Sequence, residues 1–165
     1  YSPNRTIQEL ESNDPYIERR QIGLVDADGN SAARTGSLNT SWAGHIVKSN
    51  YVAMGNGLVD EHVVQAIADA FDRSEEQNLE ERLLRAVEAG QAAGGEISFA
   101  TSPYHSAALL VYGSQSFSRV DLRVDEHATP LVELRRQFEI YKEKVEFYRL
   151  RSADPEAALL NRDLS

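Results

Sequence analysis

The chain has 165 residues, of which 41% are hydrophobic and 26% are charged, and its formal net charge is −9. This length suffices for one domain with a substantial core. The acidic balance argues against nucleic-acid binding, because neutralising phosphates needs clustered Lys and Arg. Without cysteine, the chain holds no disulfide scaffold, thiolate zinc site or cysteine nucleophile. No apolar run approaches the roughly 20 residues that span a bilayer, and no signal peptide follows Tyr1, so a cytoplasmic location is expected.

The first elements are a short helix and a hairpin. Ser2 and Pro3 are typical of an N-cap and a first helical residue, and the helix ends before Pro15. Two extended runs follow, at Gln21–Val25 and Ser31–Thr35. The Asp-Ala-Asp-Gly-Asn segment between them predicts a hairpin turn, in which Gly29 takes the positive φ, and it lacks the further ligands of a calcium loop.

A further strand and two helices come next. The strand is predicted at Tyr51–Gly55, and Asp60 is placed to cap the first helix. Apolar residues at helical spacing predict its buried face: Val63, Val64, Ile67 and Phe71. In the second helix, Asn78 and Glu81 have capping-box spacing, residues 94–95 predict the end, and the expected buried residues are Leu79, Leu83 and Val87.

The last elements are two strands and a long helix. The strands are predicted at Ser106–Tyr112 and Arg119–Asp125, the second with strict alternation. The helix starts at Pro130 and presents one apolar side: Leu131, Leu134, Phe138, Tyr141, Val145 and Tyr148. Hairpins and paired helices indicate an α+β fold, with one domain over 1–150 and a tail over 151–165. So few short strands leave a sheet face uncovered, which predicts completion by another segment or by a second copy in a homo-oligomer.

The stretch WAGHIVKSNYVAMGNGLV, residues 42–59, concentrates the candidate chemistry and holds the only Trp and the only Met. His45 follows Gly44 in an apparent turn and is a candidate proton donor or acceptor, although its ring could instead cap a carbonyl at a strand end. Asn56 lies between Gly55 and Gly57, where its amide could stabilise an oxyanion or simply form a tight turn.

Two further polar groups have competing interpretations. Glu88 and Gln91 lie at the end of the second helix and either face a site or belong to a packed helix end. Asp121 belongs to an acidic group in which Asp125 and His127 could hold a metal or exchange a proton, although solvated charge is the simpler explanation. The chain contains no phosphate loop, dinucleotide fingerprint or zinc spacing, so we predict no cofactor and no metal.

Several stretches together resemble the bacterial family named domain of unknown function 1028. They are residues 14–36, 42–59, 81–95, 106–112 and 120–136, and the resemblance extends over roughly 2–150. The family is placed among the N-terminal nucleophile (Ntn) hydrolase-like proteins. The resemblance therefore implies an αββα sandwich of mainly antiparallel sheets, incomplete in this chain, because members carry a further segment before the position of Ser2. That segment supplies the first strands and the terminal nucleophile, a role for which Tyr1 is chemically unsuited.

The resemblance also implies a function and a pocket. The expected function is hydrolysis of an amide or imide, with His45 and Asn56 as catalytic residues and the nucleophile outside this chain. The expected substrate-binding residues are Trp42, Gly44, Gly55, Glu88, Gln91 and Asp121. The alternative is a non-catalytic protein that binds a small molecule or forms an assembly on the same scaffold. The expected partners are a small-molecule substrate and a companion segment or peptide.

Overall fold

The computed structural model describes residues 1–97, 106–156 and 158. The chain divides into two compact units, Tyr1–Tyr104 and His105–Ser165. The predicted single domain over 1–150 stays a prediction. Among the described residues, no helix combines the length and the apolar character needed to cross a membrane.

The N-terminal unit begins with the helix and hairpin that the sequence predicts. Its elements are α1 (Pro3–Asn13), a 3-10 helix (Ile17–Arg19), β1 (Gln21–Val25), β2 (Ser31–Thr35), β3 (Gly44–Val47), β4 (Val52–Gly55), α2 (His62–Arg73) and α3 (Leu79–Ala92). The N-cap is confirmed, because the Arg5 backbone N–H donates to Ser2 Oγ at 3.3 Å. The hairpin turn is also confirmed, with Gly29 at φ 82° and the Asn30 N–H donating to Asp26 Oδ1 at 2.8 Å.

The two hairpins stack face to face. One face of the β1–β2 hairpin covers α1, where Arg34 Nε donates to Glu11 Oε1 at 2.8 Å. The opposite face lies against the β3–β4 hairpin. Gly23 permits this close approach, since a Cβ there would lie 3.1 Å from Met54 Sδ. Small residues between two sheets therefore bring the hairpins together.

The other face of the β3–β4 hairpin packs on helices. Ala53 joins a buried cluster with residues of α2 and the loop before it, namely Leu58, Val63, Val64 and Ala68. Helix α3 packs on α2, and a Cβ at Gly90 would lie 2.7 Å from Ile67 Cγ1. The unit therefore runs from helix through two antiparallel hairpins to paired helices, which confirms a mixed α+β fold. Each sheet in this unit has two strands, and the larger Ntn-type sandwich stays a prediction.

Two local predictions in this unit are wrong. His45 lies in strand β3, paired with Met54, and not in a turn. A four-residue strand that begins with glycine gives a weak strand signal, because glycine has low strand propensity. The capping box at the start of α3 does not form either. Asn78 occupies the N-cap without a side-chain hydrogen bond, and Glu81 Oε1 instead accepts from Arg85 Nε at 2.6 Å.

The buried face of α3 also differs from the prediction. Its buried apolar residues are Leu84 and Ala86, whereas Leu79 and Val87 are 42% and 41% exposed. The helix carries apolar residues on adjacent faces, so periodicity alone could not select the one that packs on α2. The helix end is as predicted, since residues 94 and 95 have φ values of 121° and 61°.

The second unit contains a hairpin and a long helix. Its elements are β5 (Ala107–Tyr112), β6 (Ser118–Val124) and α4 (Pro130–Ala153). The predicted alternation in β6 is confirmed, with Val120 and Val124 buried between exposed polar residues. Among the α4 residues whose burial is described, Leu134 and Phe138 are buried, and the helix contacts both strands. The helix continues to Ala153, past the predicted tail boundary at 151.

Candidate functional site

A cavity of about 490 Å³ lies beside the connection between β2 and β3 and is lined by residues 35–37, 39 and 41–45. Among the described residues, the lining offers the hydroxyls of Thr35, Ser37 and Ser41, one amide, one indole and one imidazole, and it contains no carboxylate, ammonium or guanidinium group. Its volume falls in the ordinary range for small-molecule sites. Without a formal counter-charge, such a lining favours a neutral polar ligand over an ion.

The imidazole of His45 is held by a hydroxyl of the neighbouring hairpin. Thr35 Oγ1 and His45 Nδ1 are 2.8 Å apart, and both residues are partly buried. Thr35 ends β2 and His45 follows the first residue of β3, so the face-to-face stacking of the hairpins creates this contact. With Nδ1 engaged, Nε2 is the ring nitrogen that a ligand can use.

Gln21 connects the two hairpins below this pair, although no motif in the sequence marks it as a site residue. Its Nε2 donates to Gly55 O at 2.8 Å, to Gly44 O at 3.1 Å and to Thr35 Oγ1 at 3.1 Å. Asn56 Nδ2 in turn donates to Gln21 Oε1 at 3.1 Å. The feature that could have identified Gln21 is the register of the predicted β1–β2 hairpin, which places Gln21 opposite Thr35. A long polar side chain facing a second sheet requires hydrogen-bond partners.

Trp42 explains why Gly44 is glycine. A Cβ at Gly44 would lie 2.3 Å from Trp42 Cη2, so the indole occupies the space above that strand. A Cβ at Gly55 would similarly lie 2.8 Å from Leu58 Cδ1. Both predicted substrate-binding glycines therefore serve internal packing. Trp42 also contacts the buried cluster around Ala53, so the cavity wall and the core share this side chain.

The loop at the cavity rim is anchored by Glu18 of the 3-10 helix. The Ser37 N–H and hydroxyl donate to Glu18 Oε2 at 2.9 and 2.8 Å, and Arg34 Nη2 donates to Oε1 at 2.5 Å. These hydrogen bonds, the one from the Ser37 N–H being the largest effect, lower the pKa of Glu18 from its ordinary 4.5 to about 2. The carboxylate is therefore charged at neutral pH and holds the rim in place.

The effect of this anchor should depend on pH. A carboxyl whose pKa is lower in the folded state stabilises the fold above its unfolded pKa, and that contribution disappears as the pH falls. We expect Glu18→Gln to lower the melting temperature at pH 7, with the difference from wild type shrinking as the pH falls from about 4.5 to about 2. Thermal unfolding followed by circular dichroism measures this, with Glu76→Gln as a charge-matched control at an exposed position. If the melting temperatures of Glu18→Gln and wild type differed equally at both ends of this pH range, the anchoring role of Glu18 would be contradicted.

The structure brings some predicted site residues together and separates others. Trp42, Gly44 and His45 line the cavity, and Asn56 reaches it only through Gln21. Glu88 and Gln91 lie on α3, which packs on α2, and neither lines the cavity. Asp121 is an exposed residue of β6 in the other unit.

The acidic group near the end of β6 makes local contacts. Arg123 Nη2 donates to Asp125 Oδ1 at 2.8 Å, and the Thr129 N–H donates to His127 Nδ1 at 3.0 Å. Across the described part of the chain, no group of three or more potential metal ligands is found. The contacts of Asp125 and His127 agree with solvated charge at a strand end.

These features define an α+β protein in which two stacked hairpins hold an uncharged polar cavity. The family model described as "Family of unknown function (DUF1028)" matches residues 1–134, and the chain belongs to that family. The crystal structure of protein SPO2555 from Silicibacter pomeroyi, assigned to the same family, is similar, with a TM-score of 0.74 and 32% sequence identity. The match covers 86% of this chain and 60% of that one, so this chain spans 60% of its relative's length. A comparison with curated proteins found no match.

Proposed function

We propose that the cavity binds a small neutral molecule with an amide or imide group and that the protein hydrolyses its C–N bond. The observation that carries this proposal is the partly buried His45, whose ring is held by Thr35 in a cavity without formal charge. Amides and imides offer carbonyl acceptors without a net charge, which matches this lining. A neutral imidazole can donate a hydrogen bond to such a carbonyl oxygen and stabilise the negative charge that develops on it during hydrolysis.

The proposed nucleophile comes from a further polypeptide segment that docks beside the two hairpins. Three apolar residues on the facing sides of the hairpins support such docking, since Val25, Val47 and Met54 are 50%, 41% and 41% exposed. The relative from Silicibacter pomeroyi is also longer than this chain. By analogy with Ntn hydrolases, the segment would add strands and present the nucleophile to the cavity.

The proposed roles of His45 and Asn56 differ. His45 contacts the cavity and is proposed to donate a hydrogen bond to the substrate carbonyl oxygen, on which negative charge develops during attack. Asn56 is exposed, and its amide nitrogen is directed at Gln21 Oε1 rather than at the cavity. We therefore propose that Asn56 supports Gln21 instead of stabilising an oxyanion, which revises the role expected from its glycine neighbours.

A panel of amides and cyclic imides tests the hydrolase proposal on the protein with the segments that flank it in its gene. We expect turnover, and we expect His45→Ala to lower kcat by at least about 100-fold, the usual loss when a donor to a developing oxyanion is removed. His62→Ala, at an exposed position of α2, is the matched control and should retain full activity. Unchanged turnover in His45→Ala would remove this residue from the mechanism. A native mass without any companion segment would remove the proposed source of the nucleophile.

The alternative is a protein that binds the same ligand without turnover or assembles through its exposed hairpins. The observation that favours it is the position of Asn56, which donates to Gln21 and does not line the cavity, so its amide supplies no oxyanion donor there. Quenching of Trp42, the only tryptophan, reports ligand binding directly. Saturable quenching with intact ligand recovered afterwards would select this alternative. Light scattering would separately test a homo-oligomer formed by pairing exposed strand edges.

A further inference from the structure

We infer that Gln21 is a positioning residue that, through Thr35, holds neutral His45 in the tautomer with its proton on Nε2. The cavity would then present a hydrogen-bond donor suited to a carbonyl oxygen. This inference rests on the proposed function for its ligand class, namely carboxamides and related carbonyl compounds. The hydrogen-bond arrangement that it describes does not depend on whether the protein is an enzyme.

The orientation of the Gln21 amide follows from its partners. Gly44 O and Gly55 O are backbone carbonyls and can only accept hydrogen bonds, so the amide group 3.1 and 2.8 Å from them must be the NH2. On the opposite side, Gln21 Oε1 accepts from Asn56 Nδ2 at 3.1 Å. Two carbonyls and one side-chain amide therefore select the same orientation, and Asn56 reinforces it.

The fixed amide determines the direction of the next hydrogen bond. Gln21 Nε2 has no lone pair available for a hydrogen bond, so Thr35 Oγ1 at 3.1 Å can only accept from it. The two amide hydrogens are shared among three acceptors, and Thr35 keeps its own hydrogen. In the proposed arrangement this hydrogen goes to His45 Nδ1 at 2.8 Å, the partner that the structure gives this hydroxyl besides Gln21. Nδ1 then carries no proton, which places the proton of the neutral ring on Nε2.

This arrangement suits a carbonyl ligand. An Nε2–H donor in a cavity without formal charge binds an acceptor atom and gains little from a cation. The geometry also explains why a glutamine spans the two hairpins at this position. A shorter side chain would not reach both Thr35 and the carbonyls of β3 and β4, which are all contacted by the one NH2 group.

Long-range 1H–15N NMR of histidine-labelled protein tests the inference, because the 15N shifts of Nδ1 and Nε2 identify the tautomer. The spectrum is recorded at about pH 8.5, two units above the ordinary histidine pKa, where imidazoles are neutral. His127 is an internal reference, since its Nδ1 accepts from the Thr129 N–H at 3.0 Å and its proton must lie on Nε2. We expect the 15N shifts of Nδ1 and Nε2 in His45 to differ in the same direction as in His127. The difference should be close to the full difference between a protonated and an unprotonated ring nitrogen.

Four variants separate positioning from general stability. Thr35→Val removes the hydroxyl and Gln21→Met removes the amide, and each should reduce the His45 shift difference toward the average of two exchanging tautomers. Thr35→Ser should retain it, and so should Ser41→Ala, which removes another hydroxyl of the cavity lining. A wild-type His45 protonated at Nδ1, or an unchanged shift difference in Thr35→Val, would overturn the inference. The readout needs no substrate, so a failed hydrolase assay leaves it intact.

Discussion

Gly36→Ala should destabilise the N-terminal unit by about 3 kcal/mol, at the upper end of the usual cost of overpacking. A Cβ at Gly36 would lie 2.3 Å from Glu18 O and 2.5 Å from Glu18 C, and both are backbone atoms that cannot rotate away. The Gly36 N–H also donates to Arg20 O at 2.9 Å, which holds the two segments together. Since 1 kcal/mol corresponds to about 2–4 °C in a chain of this size, thermal unfolding should show a loss of roughly 6–12 °C.

The control for this prediction is Gly113→Ala. A Cβ at Gly113 would have its nearest neighbours 3.9 Å away on the Arg119 side chain, so the added methyl group meets no obstacle. Its melting temperature should stay within about 2 °C of wild type, as for an ordinary surface substitution. If Gly36→Ala behaved like this control, the close approach of the cavity rim to the 3-10 helix would be refuted.

Gly44→Ala should displace the indole of Trp42 from the cavity wall. The new Cβ would lie within 3 Å of three ring atoms of Trp42, at 2.3, 2.8 and 2.9 Å. The rigid ring has to move as a whole, and it contacts the buried cluster around Ala53, so we expect a destabilisation of about 2 kcal/mol. Because Trp42 is the only tryptophan, its emission reports the movement without interference and should shift to longer wavelength as the ring becomes more hydrated.

Gly23→Ala is the matched control for Trp42 emission, because it adds the same methyl group to a strand glycine of the neighbouring hairpin, where the methyl group meets Met54 and not Trp42. Its Cβ would lie 3.1 Å from Met54 Sδ, and Met54 is an unbranched, adaptable side chain with 41% exposure. Tryptophan emission should therefore match wild type, with a smaller loss of stability. Identical emission in Gly44→Ala and wild type would show that Trp42 does not fill the space above Gly44.

Much of the local structure was predictable because it depends on residues close together in the chain. The β1–β2 hairpin has its predicted bounds, since Asp26 and Gly29 determine the turn chemically within five residues. The N-cap at Ser2 and the alternation in β6 are local in the same sense. Family membership was also predictable, because it is carried by several stretches of sequence in order.

The placement of the candidate site residues could be predicted only in part. Trp42, Gly44 and His45 are adjacent in sequence and line one cavity, and their role in a substrate site stays a prediction. The role of Gln21 was not accessible, since its partners at Gly44, Gly55 and Asn56 are 23 to 35 residues away. The assignment of Glu88 to the same pocket was not supported, because α3 packs on α2 and Glu88 does not line the cavity.

The sequence by itself therefore determined the elements whose hydrogen bonds close within a few residues, and it located the stretch that holds the imidazole. Only the tertiary structure decided what that imidazole contacts. Stacking two hairpins brings Gln21 and Thr35 against β3 and β4, and periodicity along one strand carries no information about the sheet that covers it. The same reason explains why the buried face of α3 could not be predicted. Its apolar residues lie on adjacent faces that were equally suited to burial, and the contact with α2 decides which face is buried.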